Sequence, residues 1–311
     1  MGPEAKPAIA TLTKMLTDEN WDVRIAAAVA LGKLGECRIA VATLTQWFDD
    51  EDRSHRECAA RGLGAIGPAA KAAIPPLATR IKDRVVDEEA GADALAEIGP
   101  AAVPVLVDLL ADGSVVRCGA AGALARIGPG AKAAVPALIK VLRMRSFGAG
   151  STLASDAYLM RATASALGKI GPEAKAAVPA LTELLNTKLF GGYEDVCVHT
   201  AAAEALGEIG SEAITAAPAL LELLQDDDVR WPAAHALEKI GPEAKAAIPA
   251  LTQLSKNPDC RIREAAAIAL SGIGHGSEPA NVALTELLRD TKKAVRSTAA
   301  RALRRITNGK K

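Results

Sequence analysis

Two short phrases return along this chain, and they leave it few folds to choose from. GPEAKAAVPAL, or a close variant, runs at Gly2–Leu12, Gly67–Leu77, Gly128–Leu138, Gly171–Leu181 and Gly241–Leu251, with a shortened copy at Gly99–Leu106 and a diverged one at Gly210–Leu220. VRxAAAxALGxIG precedes most copies, at Val23–Gly35, Val116–Gly128, Val229–Gly241 and Ile262–Gly274. The units close near Gly35, Gly67, Gly99, Gly128, Gly171, Gly210, Gly241 and Gly274, mostly about thirty residues apart, and a last one aligns to Thr307. A unit this short cannot bury its own apolar face, so it must stack on copies of itself.

Each unit reads as two helices. Val178, Leu181, Leu184 and Leu185 give the first a helical apolar stripe, and Val229, Ala233, Leu237 and Ile240 give the second one. The closing glycine suits the left-handed residue that ends a helix. The proline after it cannot continue that helix and suits a new start. Pro75, Pro104, Pro136, Pro179, Pro218 and Pro249 recur early in the first helix, where they belong to the first turn or bend it. Asp18, Asp49, Asp112, Asp226, Asp259 and Asp290 fall in the turn inside the repeats and are expected to cap the second helices. Only 3% of the chain is aromatic while half is apolar, so Ala, Leu, Ile and Val must do the packing. The expectation is an all-α, right-handed α-solenoid of nine hairpins over residues 1–311, a single domain without an internal boundary.

These phrases resemble HEAT repeats, in the short PBS-lyase HEAT-like variety common in bacteria, over nearly the whole chain. The resemblance fixes the fold better than the function, because that family holds scaffolds, adaptors, bilin-lyase subunits and DNA-repair glycosylases. It also implies a ladder between a second-helix arginine and a turn aspartate. Arg24, Arg56, Arg117, Arg230, Arg263 and Arg296 match that position; Glu88, Met160 and His199 depart from it.

Charge narrows the partners. Lys+Arg and Asp+Glu number 37 each, which argues against a nucleic-acid groove with a continuous cationic track. Cys37, Cys58, Cys118, Cys197 and Cys260 are odd in number and never form a CxxC pair, as expected of small buried thiols in a reducing compartment. No apolar run approaches the length of a membrane span, and the N-terminus lacks the pattern of a secretion signal; a soluble, cytoplasmic protein is expected. The first phrase begins at Gly2 without its preceding helix, as in a frayed cap or a segment of a longer protein.

Two irregularities mark candidate sites. The turns swell at Arg143–Tyr158 and Asn186–Val196, where the glycine spacing lengthens to 43 and 39 residues. Four of the five Phe and Tyr residues fall there: Phe147, Tyr158, Phe190 and Tyr193. Either the loops drift and pack on each other, or they form one composite partner-binding surface on an edge of the stack. The concave face is read ten, six and two residues before each closing glycine. It presents Glu89, Asp93 and Glu97 in the third repeat, Trp231, His235 and Lys239 in the seventh, and Ser297, Arg301 and Arg305 in the ninth. The acidic ridge reads as a solvated face. Trp231 and His235, one turn apart, form an anchor pocket or shield an Ala-rich neighbour. The basic stretch from Arg289 to Lys311 reads as a capping repeat.

Catalytic motifs are missing. None of His55, His199, His235 and His275 is followed by Glu, so the His-Glu pairs of HEAT-type di-iron enzymes are absent, and no nucleophile elbow or phosphate-binding loop occurs. No cofactor or metal is expected. The reading is a non-catalytic scaffold or adaptor that binds a protein partner. The alternative is a lyase-like or other enzyme subunit with a small ligand in the concave groove.

Overall fold

The computed structural model describes residues 5–112, 114–144, 152–188 and 191–308. Eighteen α-helices pair into nine hairpins there. They are α1 (Ala5–Met15) with α2 (Trp21–Lys33), α3 (Cys37–Gln46) with α4 (Arg53–Ile66), α5 (Ile74–Lys82) with α6 (Glu88–Ile98), α7 (Val103–Leu109) with α8 (Ser114–Ile127), and α9 (Val135–Leu142) with α10 (Leu153–Ile170). Then follow α11 (Val178–Leu185) with α12 (Gly192–Ile209), α13 (Ala217–Leu223) with α14 (Arg230–Ile240), α15 (Ile248–Leu254) with α16 (Cys260–Ile273), and α17 (Glu278–Leu287) with α18 (Lys293–Asn308). No strand occurs among the described residues. The chain is an all-α solenoid in two compact units, residues 1–137 and 138–311. In the first, α2, α4, α6 and α8 pack on one another in that order; in the second, α10, α12, α14, α16 and α18 do the same.

The GPEAKAA phrase is not the start of the first helix. It forms a separate 3₁₀ segment, as at Gly67–Ala73, Gly128–Ala134, Gly171–Ala177 and Gly241–Ala247. Proline spacing explains this. Pro172 and Pro179 each lack an N–H and fit only the start of a helical segment, so one continuous helix cannot hold both. The chain makes a short 3₁₀ run and breaks at Ala174 (φ −90°, ψ 16°). It then starts α11 with Pro179 in its first turn. The closing glycines also differ from the expected left-handed helical residue. Gly67 has φ 74°, ψ −143° and Gly171 φ 77°, ψ −143°, a region essentially reserved for glycine. Gly274 is an exception: its φ is −76°, and Gly276 takes the positive φ of 70°.

The backbones of the second helices lie close together. A Cβ added to Gly168 would come within 2.8 Å of the Ala205 Cα, and one on Gly207 within 3.0 Å of the Ala236 Cα. Rows of Leu, Ile and Ala fill the core, and Phe48, outside both insertions, is a wholly buried aromatic. The five cysteines are free and half-buried, rather than buried as the sequence suggested.

Capping departs from the expected pattern. Asp259 is an N-cap as expected, accepting from the Arg261 N–H, Asp290 accepts from the Lys292 N–H, and Asp112 adjoins position 113, which lies outside the described residues. Asn20, Asp52 and Asp87 cap α2, α4 and α6 instead. Asp18 and Asp226 lie further upstream and accept from N–H groups within the turn: Asn20 for Asp18, and Asp228 and Val229 for Asp226. Asp49 pairs with Arg80 across repeats at 2.5 Å.

The recurring arginines have a consistent task, though not the one the ladder implies. Five of the six reach back along the chain to carbonyls at the end of the first helix or in the turn. Arg230 donates to Leu224 O at 2.8 Å and Gln225 O at 3.3 Å. Arg263 donates to Asn257 O and Pro258 O, Arg296 to Asp290 O and Thr291 O, and Arg56 to Asp50 O and Glu51 O. Arg24 reaches Asp18 O. Arg117 makes no such bond among the described residues, and its turn includes position 113, outside them. A bidentate arginine–aspartate bridge between repeats is seen at Arg263–Asp290, at 2.6 and 2.9 Å. His199 replaces the arginine in the sixth repeat, and its Nε2 lies 2.9 Å from Thr187 O. Where the third repeat has Glu88, Arg56 of the second repeat supplies the donor, reaching Val85 O at 2.8 Å.

Arg230 is 2% exposed and serves the carbonyl of the buried Leu224, which its loss would strand. Arg230→Ala should lower unfolding free energy by about 3 kcal/mol, with Arg230→Lys restoring part of it, as read from urea titrations. Acid should act through Asp290, whose carboxyl is held below the usual range mainly by the hydrogen bond from Arg263. A depressed folded pKa gives stability that is present above the unfolded value, about 3.9, and lost as pH falls through the folded one. The stability difference between the natural chain and Asp290→Asn should therefore be constant from neutral pH to about 5 and shrink below about 4. Urea titrations across that range measure it.

Candidate functional site

Both insertions lengthen the second helix that follows them. α10 and α12 have 18 residues each, against 11 to 16 in the other second helices. Thr152 starts α10 with a reciprocal capping box to Ser155. α12 has no side-chain cap; four residues on, the buried Asp195 carboxylate accepts from the Gly191 N–H at 2.8 Å. Tyr193 therefore sits on the added first turn of α12, and Tyr158 sits on α10 at the register of Ser54 and Arg261 in the ordinary second helices; neither is in a loop as expected. Phe147 and Phe190 lie outside the described residues.

Tyr158 is 51% exposed and Tyr193 77%. Together with Ala154, Ala157 and Arg161 from α10 and Glu194 and Cys197 from α12, they line a shallow cleft of about 170 Å³. The Arg161 guanidinium lies 5.0 Å from the centre of the Tyr158 ring and braces it. A hydrogen bond with Cys197 pushes the Tyr193 phenol above its ordinary range.

A larger groove, of about 610 Å³, crosses α10, α12 and α14. Gly168, Ala201 and Ala205 line its small-residue side, where the helices approach closely. Trp231 and Pro232 add an apolar wall, and Ser165, Lys169, Glu204, Glu208, His235 and Lys239 supply the polar groups. Lys239 donates to Glu208 at 2.7 Å. That hydrogen bond, with Lys169 nearby, holds the Glu208 carboxyl below its usual range. Trp231 and His235 thus share a groove, as expected of one turn of helix. Arg161 and Ser165 are four residues apart on α10, and so are Cys197 and Ala201 on α12. The tyrosine cleft and the Trp231 groove, which the sequence offered as alternatives, therefore adjoin on the same two helices.

Beyond His235 a second hollow, about 250 Å³, is lined by Glu238, Ile268, Ser271, Thr298, Arg301 and Ala302. Its organising group is Glu238, which the sequence analysis missed. Its carboxylate accepts from His235 Nδ1 and Ser271 Oγ, each at 3.0 Å, and pairs with Arg305 from α18. The signal was readable. Three residues before the closing glycine stand Gly32, Gly64, Ala96, Ala125, Gly168 and Gly207, and then Glu238. A second missed cluster lies in the first unit, where Trp21 stacks on His55 at 3.9 Å and meets Trp47 at 4.8 Å. The acidic ridge is not purely solvated: Arg126 of the next repeat pairs with both Asp93 and Glu97. No group of three or more His, Cys, Asp or Glu suited to a metal ion occurs among the described residues. Nor is any helix there long and apolar enough to cross a membrane.

Stacked two-helix repeats with proline-started first helices and closely packed second helices define a HEAT-type solenoid. The HEAT-repeat profile matches residues 9–96, 192–271 and 248–310, more than half of the chain, and the PBS lyase HEAT-like repeat profile matches 116–143 and 161–187. The chain belongs to the HEAT-repeat family. No curated protein is found to match it. Among solved structures, an engineered protein is similar at 26% identity and TM-score 0.51, over 96% of this chain and 88% of that one. The karyopherin Kap121p, bound to the extreme C-terminus of the protein phosphatase Cdc14p, is similar at 14% identity and TM-score 0.55, over 97% of this chain and 38% of that one. A chain of the Kap95:Nup1 complex gives 13% and 0.59, over 97% and 45%. The chain spans less than half the length of these last two, and the likeness is one of fold.

Glu238 fills a position where Ala serves in the third and fourth repeats, and Arg305 is exposed when unpaired. Glu238→Ala should lower stability by no more than about 1 kcal/mol in urea titrations, far less than Arg230→Ala. A loss as large as that of Arg230→Ala would make Glu238 a structural strap rather than a groove residue.

Proposed function

We propose that this chain is a non-catalytic scaffold or adaptor that binds a protein partner along the second helices of its C-terminal unit. The observation that carries this is the contiguity of the tyrosine cleft with the Trp231 groove. Together they offer exposed aromatic side chains beside a small-residue floor with paired charges around it, the composition of protein-recognition surfaces rather than of a reaction centre. The family supports the reading, and so do the fold relatives captured with protein partners. Zero net charge and mixed signs along the groove speak against nucleic acid. A reducing, cytoplasmic setting fits five free thiols.

A lyase-like or other enzyme subunit is the competing reading, and the groove's volume of about 610 Å³ is what favours it. A photo-crosslinking amino acid placed at Tyr158 or Tyr193 in cells should join the chain to one discrete protein. The same group at Ile214, exposed on a 3₁₀ segment of the same unit, should not. Tyr158→Ala and Tyr193→Ala should each weaken capture of that protein by about 2 kcal/mol while leaving the melting temperature within about 2 °C. A purified chain that retains a small molecule and yields no protein adduct would replace the scaffold with the enzyme-subunit reading.

A further inference from the structure

On α16 the positions ten, six and three residues before the closing glycine are Glu264, Ile268 and Ser271. All three meet α18. Glu264 accepts from Thr298 Oγ1 at 2.9 Å, and Ile268 and Ser271 line the hollow shared with Thr298, Arg301 and Ala302. On α12 the last of these positions is Gly207, set against the Ala236 backbone of α14. This is the face on which a second helix receives its neighbour. On α18 the same register, counted from Thr307, gives Ser297, Arg301 and Arg304, all exposed, with Lys293 one turn before them. No helix stacks on them among the described residues.

The free charges of this hairpin are mostly of one sign. Arg289, Lys292, Lys293, Arg301 and Arg304 have no carboxylate partner among the described residues, against Glu278 and Glu286 on α17. Glu238 and Glu264, the carboxylates that bond to α18, are engaged: Glu238 by His235, Ser271 and Arg305, and Glu264 by Thr298. The Arg301 guanidinium has Thr298 Oγ1, at 3.5 Å.

We propose that this face of α18 receives an acidic α-helix of the partner protein, stacked where a following second helix would lie, with its carboxylates on Lys293, Arg301 and Arg304. The proposal rests on the protein-binding reading above and names the chemistry of the partner. Register makes the occupant a helix, since α10, α12, α14 and α16 each offer this face to another one. Ser297 and the half-buried Ala300 keep the middle of the face low, as close helix packing requires. Charge makes it acidic. Each carboxylate gains a charge-assisted hydrogen bond, and the arginine forks can take two. A nucleic-acid strand needs a longer cationic track; here α17 exposes Glu278 and Glu286, and α16 carries Glu264. A membrane surface needs apolar side chains turned outward, whereas Val295, Ala299, Ala302 and Ile306 of α18 are buried.

The test uses the full chain and three acetylated, amidated alanine-rich peptides of about seventeen residues, long enough to be helical in water. One carries glutamates four and three residues apart along one face. The second has glutamine at those places, and the third keeps the glutamates but has proline at its centre. Binding is followed by calorimetry. The acidic helix should bind at millimolar concentration or below, and the glutamine and proline peptides at least about tenfold more weakly. Arg304→Gln and Lys293→Gln should each weaken the acidic helix severalfold, and Arg304→Glu more, with unchanged circular dichroism. Lys169→Gln, in the Trp231 groove, should leave it unchanged, and added salt should weaken it. No binding of the acidic helix, equal binding of the glutamine or proline peptide, indifference to Arg304→Glu, or tighter binding of an oligothymidylate of the same charge would each overturn the proposal. The crosslinked partner separates this failure from failure of the scaffold reading. If that protein is still captured and Arg304→Glu leaves its affinity unchanged, the scaffold stands and the docking face falls.

Discussion

The end of every first helix leaves carbonyl groups that no further helical turn can satisfy, and the turn that follows is partly buried against the next repeat. Water serves such groups poorly, and each one left unpaired costs about 1–3 kcal/mol. This chain answers with a guanidinium from the second helix of the same repeat. Arg24, Arg56, Arg230, Arg263 and Arg296 reach back six residues, and four of the five also reach five residues back. A planar fork of donors suits two successive carbonyls better than an ammonium does. The bond ties the end of one helix to the start of the next and so sets the geometry of the hairpin. Stacking of the second helices depends on that geometry being nearly equal from repeat to repeat. Two of the exceptions obey the same requirement: His199 reaches a carbonyl twelve residues back across a lengthened turn, and Arg56 serves the third repeat from outside.

A second constraint acts where the second helices meet. Gly168 and Gly207 leave no space for a side chain against the next backbone, so the interhelical distance is short and the face beside it is shallow. Against that background one large side chain changes the surface. Glu238 occupies the small-residue position in α14, and its carboxylate gathers His235, Ser271 and Arg305. The backbones of α14 and α16 stay close there as well: a Cβ on Gly272 would lie 1.9 Å from the main-chain oxygen of Glu238.

Much of this was legible from the order of residues alone. The hairpins, their number and the helical periods follow from the two phrases, because apolar spacing and the Gly-Pro junction are local signals. The separate 3₁₀ segments were visible only to an argument that counts prolines: Pro172 and Pro179 exclude each other from one helix start. Capping was misread because several aspartates share each turn, and which of them faces an N–H depends on where the helix begins, a matter of one or two residues. Asp49 shows the difficulty, since it pairs with Arg80 of the next repeat instead. The candidate aromatics were found by their clustering, but Tyr158 and Tyr193 were placed in loops because glycine-rich insertions look alike whether they extend a turn or a helix. Glu238 was missed although its register is unambiguous, because a carboxylate on an alanine-rich helix looks like a solvated one until the repeats are aligned column by column.

The tyrosine cleft and the Trp231 groove, far apart in sequence, lie side by side for a reason of register. In a repeat array a residue's position is fixed by its register on the second helix and by the number of its repeat. Arg161 and Ser165 differ by one turn, as do Cys197 and Ala201, so a change that lengthens α10 and α12 at their N-terminal ends extends the same rows that reach Lys169 and Glu208 at the other end. An inserted turn in two consecutive repeats then adds area to the concave rows rather than making an unrelated patch. The irregular repeats are the fifth, sixth and seventh, by length, by the His199 replacement and by Glu238, and they are also the ones that line the Trp231 groove. Departure from the repeat and formation of this groove coincide because large side chains replace small ones in its rows.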